Sequence, residues 1–316
     1  MPKSKYQAAI IGCGNIGTRG VLTHAQAYAQ EPRTSLVAVL DQNKKRVEVA
    51  AKSWGVRAYH ALEEMFNKEK IDIVSVCVPD EAHEEILNRC LKYVPKVVFC
   101  EKPLTTNLIS AKKIVEHYAK EGVMLAVNFS RRWNPGIRQL KANIEQGKFG
   151  RLMGVHGIYT KGILHNGSHM IDLIRYLAGE IKHVRALNAR IDWKASDPAV
   201  SAYLQLTNGA FGFIAAGDER YFSIFDLELV LTKARISLKN FGEDLVIEKV
   251  KVDPLFKGYK ILGSTEYLKM DLKKNIHYAL GNLIDALEGK DVVLIPAKEA
   301  YFTQQICHQI LKGLNK

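Results

Sequence analysis

The sequence predicts two domains: a doubly wound α/β domain with a parallel sheet over residues 1–128, and an α+β domain over residues 129–316. Two observations predict this class. In the first region, six short apolar segments alternate with helical segments, which is typical of parallel strands joined by crossover helices. In the second region strands and hairpins dominate, with helices near its two ends. The length of 316 residues agrees with two domains of roughly 150 residues each.

The predicted strands of the first region are short and largely apolar, as expected for strands buried on both faces of a sheet. They cover residues 8–11, 35–40, 57–59, 71–78, 96–100 and 123–127. The intervening helices are predicted at residues 21–30, 44–54, 62–67, 81–93 and 110–121. Ligands bind such sheets beyond the carboxyl ends of the strands, so we expect functional side chains directly after the strands.

The second region begins with a predicted amphipathic helix at residues 135–146. Its clearest hairpin joins residues 200–206 to residues 210–216 through Asn208-Gly209, a typical turn pair. Further strands are predicted at residues 152–159, 225–231, 235–238 and 245–252, and closing helices at residues 275–288 and 297–314. We place the hinge between the two domains near residues 128–135.

The net charge of +12 predicts an acidic or anionic binding partner. The basic residues cluster only at residues 44–46 and 131–132, and no zinc-finger spacing is visible, which favours an anionic substrate or cofactor over nucleic acid. No apolar run approaches the length of a membrane span, and no signal-peptide pattern is present. The five cysteines form no Cys-x-x-Cys pair, which suits reduced thiols. We therefore expect a cytoplasmic protein that binds neither nucleic acid nor membrane.

A glycine loop, Gly12-x-Gly14-x-x-Gly17, lies between the first predicted strand and the first predicted helix. In this context the first glycine permits the tight turn, and the second lets the backbone approach a pyrophosphate. The third lets helix and strand pack closely. The intervening Asn15 and Ile16 are expected to contact the same ligand. The loop predicts a dinucleotide-binding site of the Rossmann type.

Asp41 ends the second strand, where an acidic residue holds the ribose hydroxyls of a bound dinucleotide. A carboxylate there repels the 2′-phosphate of NADP, so NAD is the predicted cofactor. NADP stays an alternative, because Lys44, Lys45 and Arg46 follow and offer phosphate contacts. The structural alternative is an aspartate that only caps the next helix.

Lys102 follows the fifth strand and precedes Pro103. Proline ends the strand and restricts the lysine backbone to extended geometry, so the lysine side chain is presented from a rigid place. Pro79 and Asn128 follow the fourth and sixth strands, which puts all three positions at the ligand edge of the sheet. The alternative for Lys102 is an ordinary solvated lysine in a turn.

The order of these residues resembles the Gfo/Idh/MocA family, named after glucose-fructose oxidoreductase, inositol dehydrogenase and a rhizopine catabolism protein. The resemblance rests on the glycine loop, Asp41, Val78-Pro79 with His83, Glu101-Lys102-Pro103, and residues 128–135 and 147–150. It implies an NAD(P)-dependent oxidoreductase of sugars or cyclitols. It also implies an N-terminal Rossmann domain and a C-terminal α+β domain built on a large, mostly antiparallel sheet. In such proteins the lysine is catalytic and its bond to the proline is often cis, which implies a cis Lys102–Pro103 bond here.

The chemical stretch of the second region is residues 161–177, whose second half is helical. Asn166 or Ser168 is the predicted N-cap, so His169 would lie in the first turn. The positive end of a helix disfavours an imidazolium, and a neutral histidine at a pocket mouth is suited to act as a general base. Asp172 lies on the same helix face and would orient the ring or oppose that effect. A capping or packing histidine is the alternative.

Members of the family usually carry an acid four positions before this histidine, where the present sequence has His165. His165 is predicted to be a second proton-handling group or a substrate contact, with a structural role as the alternative. His165, His169 and Asp172 also have ligand-like spacing for a metal. Nicotinamide chemistry on an alcohol requires no metal, so none is predicted.

The resemblance implies hydride transfer between a secondary alcohol carbon and nicotinamide, with Lys102, His169 and His165 as the catalytic candidates. His169 would take the hydroxyl proton, and Lys102, as an ammonium, would stabilise the charge on the oxygen. The predicted cofactor contacts are Gly12, Gly14, Asn15, Ile16, Gly17, Asp41, Pro79, His83, Glu101, Lys102 and Asn128. The predicted substrate contacts are Arg131, Arg132, Tyr159, Lys161, Asn166 and Asp172. The arginines favour a sugar acid, sugar phosphate or nucleotide-sugar, and a neutral sugar or cyclitol stays open.

Two other functions stay open. Some relatives oxidise a sugar transiently, eliminate a group and reduce the sugar again, so they form no net NADH. A non-catalytic NAD-binding sensor is the other alternative, and the intact Lys102 and His169 argue against it. A homodimer or homotetramer is expected, because the exposed sheet of such C-terminal domains commonly pairs subunits.

Overall fold

The computed structural model describes residues 5–314, which form two compact units. The first unit contains residues 5–133 together with Lys273–Tyr301. The second unit contains Asn134–Leu272 and residues 302–314. The chain therefore passes from one unit to the other three times.

The units differ from the predicted domains in one long segment. Residues 273–301 were predicted with the second domain, but they lie in the first unit. The reason is hydrophobic, because the helix in this segment buries Leu280 and Leu283 in the core of the first unit. The remaining difference is small, since the first division follows Trp133 rather than residue 128.

The first unit is built on a six-stranded parallel sheet, as predicted. The strands are β1 (Tyr6–Ile11), β2 (Thr34–Leu40), β3 (Arg57–Tyr59), β4 (Ile73–Val76), β5 (Val97–Cys100) and β6 (Met124–Val127). Their order is β3-β2-β1-β4-β5-β6, and each neighbouring pair is parallel. The order reverses between β1 and β4, which is the switch point where such sheets bind ligands.

Nine α-helices are found within residues 5–314. They are α1 (His24–Gln30), α2 (Lys44–Trp54), α3 (Leu62–Lys68), α4 (His83–Leu91), α5 (Leu108–Lys120), α6 (Pro135–Glu145), α7 (Ser168–Ala178), α8 (Asn275–Leu287) and α9 (Ala297–Gly313). The first helix was predicted from residue 21, but it begins at His24. A capping box sets this start, because the Thr23 side chain accepts the N–H of Gln26 while the Gln26 side chain accepts the N–H of Thr23.

The second unit is built on an eight-stranded sheet that is mostly antiparallel, as the resemblance implied. Its strands are β7 (Leu152–Tyr159), β8 (Ile181–Lys194), β9 (Asp197–Leu206), β10 (Phe211–Ala216), β11 (Phe225–Leu231), β12 (Ala234–Lys239), β13 (Asp244–Val252) and β14 (Lys260–Lys269). The order is β14-β13-β12-β11-β7-β10-β9-β8, with β7 and β10 parallel. Helix α7 packs against β7 and β11 on one face of the sheet.

The two edge strands, β8 and β14, were not predicted. Most of their side chains are exposed. Residues 187–194 of β8 do alternate apolar with polar residues, a strand signal that the prediction missed, whereas β14 shows no such alternation. Their pairing with β9 and β13 supplies the regular structure instead. Within residues 5–314, no helix has both the length and the hydropathy needed to cross a membrane.

Candidate functional site

The glycine loop follows β1, and backbone packing requires two of its glycines. Gly12 has a positive φ of 101°, and a Cβ atom there would collide with the carbonyl oxygen of Cys77. A Cβ atom at Gly17 would collide with the carbonyl oxygen of Gly12. By contrast, nothing lies within 4 Å of the corresponding position at Gly14. The backbone at Gly14 is therefore open to the approach of a ligand.

The loop continues into a π-helical turn, Asn15–Arg19, before α1 begins. Asn15 is exposed, whereas Ile16 is half-buried and packs against the core of the first unit. Gly20 and the three residues after it separate this turn from α1, so the loop does not lead directly into the helix as predicted.

Asp41 follows β2, and its carboxylate braces the glycine loop. Oδ2 accepts the backbone N–H of Cys13 at 2.8 Å, and Oδ1 accepts that of Asn43 at 2.8 Å. The side chain of Asn43 caps α2 by accepting the N–H of Arg46, so Asp41 is not the helix cap. The guanidinium Nη1 of Arg46 lies 3.5 Å from Asp41 Oδ2. Asp41 thus lies beside Arg46, one of the three basic residues that could contact the 2′-phosphate of NADP.

A cavity of about 470 Å³ opens at the carboxyl ends of β1, β2 and β4. Its lining includes Gly12, Gly14, Asp41, Arg46, Pro79 and Arg89. The cavity therefore lies at the switch point between β1 and β4, where open α/β sheets bind ligands. The open backbone at Gly14, the carboxylate of Asp41 and the size of the cavity fit a dinucleotide such as NAD.

Glu101 and Lys102 follow β5, and the Lys102–Pro103 peptide bond is cis, as the resemblance implied. Glu101 Oε1 accepts hydrogen bonds from His24 Nε2 at 2.9 Å and from Asn128 Nδ2 at 2.7 Å. Burial raises the pKa of Glu101, but the hydrogen bonds from His24 and Asn128 and the charge of Lys102 outweigh it. The net effect lowers the pKa of Glu101, which favours a carboxylate beside Lys102.

His83, a predicted cofactor contact, begins α4 and is fully buried. Its Nδ1 lies 2.6 Å from the carbonyl oxygen of Pro103, and its Nε2 lies 3.1 Å from that of Val78. Both ring nitrogens therefore face backbone oxygens. His83 links the end of β4 to the segment after β5, and it is not among the residues that line the cavity.

The segment after β6 carries Asn128 and the two predicted arginines. Asn128 is buried, and its Oδ1 accepts the indole N–H of Trp133 at 3.2 Å. Arg132 is also buried, and its Nη1 lies 3.7 Å from Glu299 Oε2 within the same unit. Arg131 is half-buried. These positions leave Arg131 as the better candidate for a substrate contact, because Arg132 is enclosed in the first unit.

The second unit holds the other predicted residues, and the loop that carries Lys161, His165 and Asn166 is fixed by two buried aspartates. Asp192 accepts the backbone N–H groups of Lys161 at 2.6 Å and of Gly162 at 3.3 Å. Asp197 accepts those of Leu164 at 2.8 Å and, at 3.0 Å, of the following residue. Carboxylates that accept several backbone N–H groups hold a loop firmly. Sequence reasoning missed both aspartates, because each is distant in sequence from the loop.

His165 lies within a π-helical turn, Gly162–Gly167, with its ring 4.5 Å from that of Trp193. The ammonium of Lys161 lies 5.6 Å from the centre of the same indole, and that of Lys194 lies 4.3 Å from it. A histidine and two lysines thus lie around the indole ring of Trp193. The sequence offered no motif that marks Trp193.

Glu219 is a further residue near this loop that sequence reasoning missed. Burial raises the pKa of Glu219, but hydrogen bonds from Thr160 and Ser223 and the charges of Lys161 and His165 lower it on balance. Glu219 Oε2 accepts the hydroxyl of Thr160 at 2.6 Å. A carboxylate is therefore present in the second unit close to His165.

His169 is half-buried near the start of α7. The predicted side-chain cap of this helix is wrong, because the π-helical turn runs directly into α7 and Gly167 takes the N-cap position without a side-chain bond. Ser168 instead donates its hydroxyl to the carbonyl oxygen of His165 at 3.0 Å. Asp172 is buried and accepts the hydroxyl of Thr303 at 3.3 Å. Within residues 5–314, no group of three His, Cys, Asp or Glu side chains is arranged to hold a metal.

Tyr159 and Asn166 were the remaining predicted substrate contacts. Tyr159 is fully buried, and its hydroxyl accepts the N–H of Val200 at 2.8 Å and donates to the carbonyl oxygen of Val200 at 2.9 Å. This hydroxyl ties β7 to β9, so Tyr159 is left out of the site proposed below. Asn166 is half-buried, and its backbone N–H donates to the carbonyl oxygen of Lys161 at 3.3 Å.

Two family profiles match this chain. The profile described as an oxidoreductase family with an NAD-binding Rossmann fold matches residues 6–129. The profile of the Gfo/Idh/MocA C-terminal domain matches residues 159–237. Together the two matches cover more than half of the 316 residues.

Curated relatives are similar over part of their length. The myo-inositol 2-dehydrogenase of Thermotoga maritima is 27% identical over 266 residues, which cover 75% of this chain and 76% of that protein. The inositol 2-dehydrogenase of Renibacterium salmoninarum is 31% identical over 185 residues, which cover 54% of each chain. The chain thus spans about half the length of this relative and of others with similar names.

Solved structures share the fold across nearly the whole chain. Levoglucosan dehydrogenase in complex with NADH has a TM-score of 0.85 at 18% identity, covering 99% of this chain and 97% of that one. The WlbA dehydrogenase of Bordetella pertussis, in complex with NADH and UDP-GlcNAcA, has a TM-score of 0.80 at 21% identity with the same coverage. At these identities the likeness shows the fold alone. On the two profile matches, the chain belongs to the Gfo/Idh/MocA family of NAD-binding oxidoreductases.

Proposed function

We propose that the protein is an NAD-dependent dehydrogenase that interconverts a secondary alcohol and a ketone on a cyclitol or sugar. One observation carries the proposal: a dinucleotide-sized cavity at the switch point accompanies a lysine, Lys102, held beside a carboxylate after β5. The relatives named above are inositol 2-dehydrogenases, which supports a polyhydroxylated ring as the substrate.

Gly12, Gly14 and Asp41 would hold NAD, which supplies a hydride acceptor for oxidation and a hydride donor for reduction. Asp41 supports NAD over NADP, because its carboxylate opposes a 2′-phosphate. Arg46 lies 3.5 Å from that carboxylate and partly offsets its charge, which makes NADP the alternative to measure. The cavity lining carries two arginines, Arg46 and Arg89, and two acids, Asp41 and Glu85, so the formal charges of these four residues balance.

Lys102 is assigned the stabilisation of the substrate oxygen. As an ammonium it donates a hydrogen bond to the alcohol oxygen, whose negative charge grows as its proton leaves. A ring nitrogen of His169 is assigned the acceptance of that proton, and it returns the proton in the reverse direction. His165 and Asp172 are assigned the role of holding His169 and the substrate in position.

The finer proposal concerns the charge of the substrate. Lys161 and Lys194 both lie over the indole of Trp193, so two cations lie beside the ring that His165 also contacts. Arg131 and Asn166 are the other assigned substrate contacts, and Arg131 adds a third cation. Together with the net charge of +12, these cations favour a substrate that carries a carboxylate or phosphate.

The test is a substrate panel with the purified protein. NAD or NADP is mixed with myo-inositol, neutral sugars, sugar acids, sugar phosphates and nucleotide-sugars, while NADH absorbance and product mass are followed. We expect NADH formation with at least one ring polyol, and faster turnover with NAD. Product that lacks the elements of water, without net NADH, would instead identify transient oxidation and elimination. Binding of NAD without any turnover would identify a sensor.

The expected homodimer or homotetramer is tested on the same preparation. Light scattering after size-exclusion chromatography gives the mass of the assembly, to compare with 35.5 kDa for one chain.

A further inference from the structure

A chain of hydrogen bonds between buried side chains of the first unit leads to Glu101, the residue before Lys102. The hydroxyl of Tyr28 lies 2.7 Å from Ser75 Oγ, and Ser75 Oγ lies 2.8 Å from His24 Nδ1. His24 Nε2 lies 2.9 Å from Glu101 Oε1. Tyr28, Ser75 and His24 are each no more than 2% exposed. Buried polar groups of this kind are conformationally fixed when every member is satisfied.

The direction of these hydrogen bonds follows from the carboxylate at one end. An ionised Glu101 only accepts, so His24 Nε2 carries a hydrogen and donates it. With one hydrogen on the ring, Nδ1 accepts from the hydroxyl of Ser75, which in turn accepts from Tyr28. Burial raises the pKa of Tyr28, which keeps its hydroxyl protonated and available as the donor. One arrangement therefore satisfies all four side chains.

Glu101 is held from a second direction by Asn128, whose Nδ2 donates to the same oxygen at 2.7 Å. Its backbone N–H donates to the carbonyl oxygen of Val76 at 2.9 Å. The charge of Lys102 also acts on this carboxylate. The thiols of Cys77 and Cys100 also interact with the charge of Glu101. Burial raises the pKa of both thiols well above the ordinary value, so they stay neutral.

We propose that His24 is a positioning residue, which holds Glu101 ionised and in one orientation beside Lys102. The contribution of this arrangement to turnover rests on the proposed function, because it acts through the lysine that we assign to the substrate oxygen. The interaction of His24 with Glu101 does not depend on that function. His24 donates one side-chain hydrogen bond to Glu101 Oε1 and Asn128 donates another, so removal of the His24 donor leaves part of the cost of desolvating this carboxylate uncompensated.

Two substitutions separate this role from simple packing. The amide nitrogen of glutamine takes the place of histidine Nε2, so His24→Gln keeps the donor to Glu101. The amide nitrogen of asparagine takes the place of Nδ1, so His24→Asn keeps a polar group near Ser75 and loses the donor. The carboxyl carbon of Glu101 is followed by NMR through a pH titration of protein with ¹³C-labelled glutamate. The signal is assigned by its loss in Glu101→Gln.

We expect His24→Asn to raise the midpoint of the Glu101 titration by about one pH unit or more. His24→Gln should stay within about half a pH unit of the parent protein. In a substrate assay, the acidic limb of kcat should move with the Glu101 midpoint in His24→Asn, while the KM for NAD stays unchanged.

An unchanged Glu101 midpoint in His24→Asn would overturn the proposal, and so would a His24→Gln midpoint as high as that of His24→Asn. If His24→Asn does not fold by circular dichroism, His24→Met takes its place, because methionine fills a similar volume and has no donor: a raised midpoint supports the proposal and an unchanged one overturns it. The titration needs no substrate. A parent protein that oxidises no polyol would therefore overturn the proposed function and leave this inference intact.

Discussion

The carboxylate of Asp197 accepts the backbone N–H of His165 at 3.0 Å, although His165 itself occupies the position where the family usually carries an acid. Asp197 begins β9 and is buried. Because it bonds to the backbone of the loop, it sets the shape of the turn that carries His165. A Cβ atom at Gly162 would collide with this carboxylate, so the loop and the acid fit closely.

The first prediction concerns this carboxylate. Asp197→Asn replaces one accepting oxygen by an NH₂ group that faces a backbone N–H, so one charge-assisted hydrogen bond is lost and a donor is left opposed to a donor. We expect the free energy of unfolding to fall by about 2 kcal/mol, as measured by urea titration.

Asp253 provides the matched control. It also accepts two backbone N–H groups, those of Leu255 and Phe256, but both bond to Oδ1 in an exposed turn, and the amide oxygen of asparagine can replace that oxygen. Asp253→Asn should change the free energy of unfolding by less than about 0.5 kcal/mol. Equal losses in the two variants would show that the bond lost at the second oxygen of Asp197 does not explain its effect.

The second prediction concerns Lys102. Lys102→Ala removes the ammonium assigned to the substrate oxygen, and we expect kcat to fall by about 10²–10⁴-fold while the Kd for NAD stays the same. Steady-state kinetics and calorimetry measure the two quantities. Lys96 is the control, because it lies just before β5 at the opposite end of the strand and pairs with Asp72 at 2.8 Å. Full activity in Lys102→Ala would exclude a catalytic role.

The third prediction contrasts two glycines of the same loop. Gly17→Ala places a methyl group against the carbonyl oxygen of Gly12, so the variant should lose roughly 1–3 kcal/mol of stability by thermal unfolding. Gly14→Ala meets no atom within 4 Å, so it should fold normally and weaken NAD binding by about tenfold or more. If Gly14→Ala binds NAD as tightly as the parent protein, the pyrophosphate does not approach this residue.

The fourth prediction concerns cofactor choice. Asp41→Asn removes the charge that opposes a 2′-phosphate and leaves Arg46 in place, so the ratio of Kd values for NADP and NAD should fall by about tenfold or more. Glu85 is the control, because it is another acid in the cavity lining but pairs with Arg89 at 2.9 Å. A Glu85→Gln variant that gains NADP affinity to the same extent would rule out Asp41 as the determinant.

The fifth prediction is a pH dependence of stability. Burial, followed by the charge of Asp41, raises the pKa of Cys13 from its ordinary 9.0 to about 12, and burial raises that of Cys90 to about 12. Above pH 9 the unfolded chain therefore releases thiol protons that the folded chain retains. The contribution of these thiols to the free energy of unfolding should be constant below this pH, and the free energy should fall above it by about 1.4 kcal/mol per pH unit for each such thiol.

Urea titrations from about pH 8 upward measure this slope. Lysine and tyrosine side chains also titrate in this range, so the informative comparison is with Cys13→Ala. The variant should show a shallower fall, because one thiol no longer contributes. An unchanged slope would mean that Cys13 ionises as readily in the folded protein as in the unfolded chain.

The parallel sheet was predictable because each of its strands is an apolar segment that ends at a turn or polar residue, and because parallel strands place those ends at one edge. This reasoning correctly identified the sheet that carries Gly12, Asp41 and Lys102. This reasoning was less accurate at the starts of helices, where local hydrogen bonds rather than hydrophobic periodicity decide the first residue. The capping box at Thr23 delays α1, and the π-helical turn before α7 makes a side-chain cap unnecessary.

The supporting residues of the site were not predictable. His24 lies 77 residues from Glu101 along the chain, and Asp197 lies 32 residues from His165. Neither belongs to a motif with fixed spacing, because such contacts depend on how the elements pack. Strand β14 escaped prediction for a different reason, since its exposed segment shows no alternation of apolar and polar residues. Strand β8 alternates over residues 187–194 and was predictable from the sequence.

The three crossings of the chain between the units have a consequence for recombination among relatives. A first unit copied only as residues 5–133 would lack α8, and with it the apolar side chains that close its core. An exchange of this unit between two genes therefore needs a coordinated replacement of two separate segments. Single-crossover chimeras joined after Trp133 should fold only when the residues of α8 from one parent pack against the first unit of the other. Gene segments that encode residues 5–133 and α8 should therefore be exchanged together.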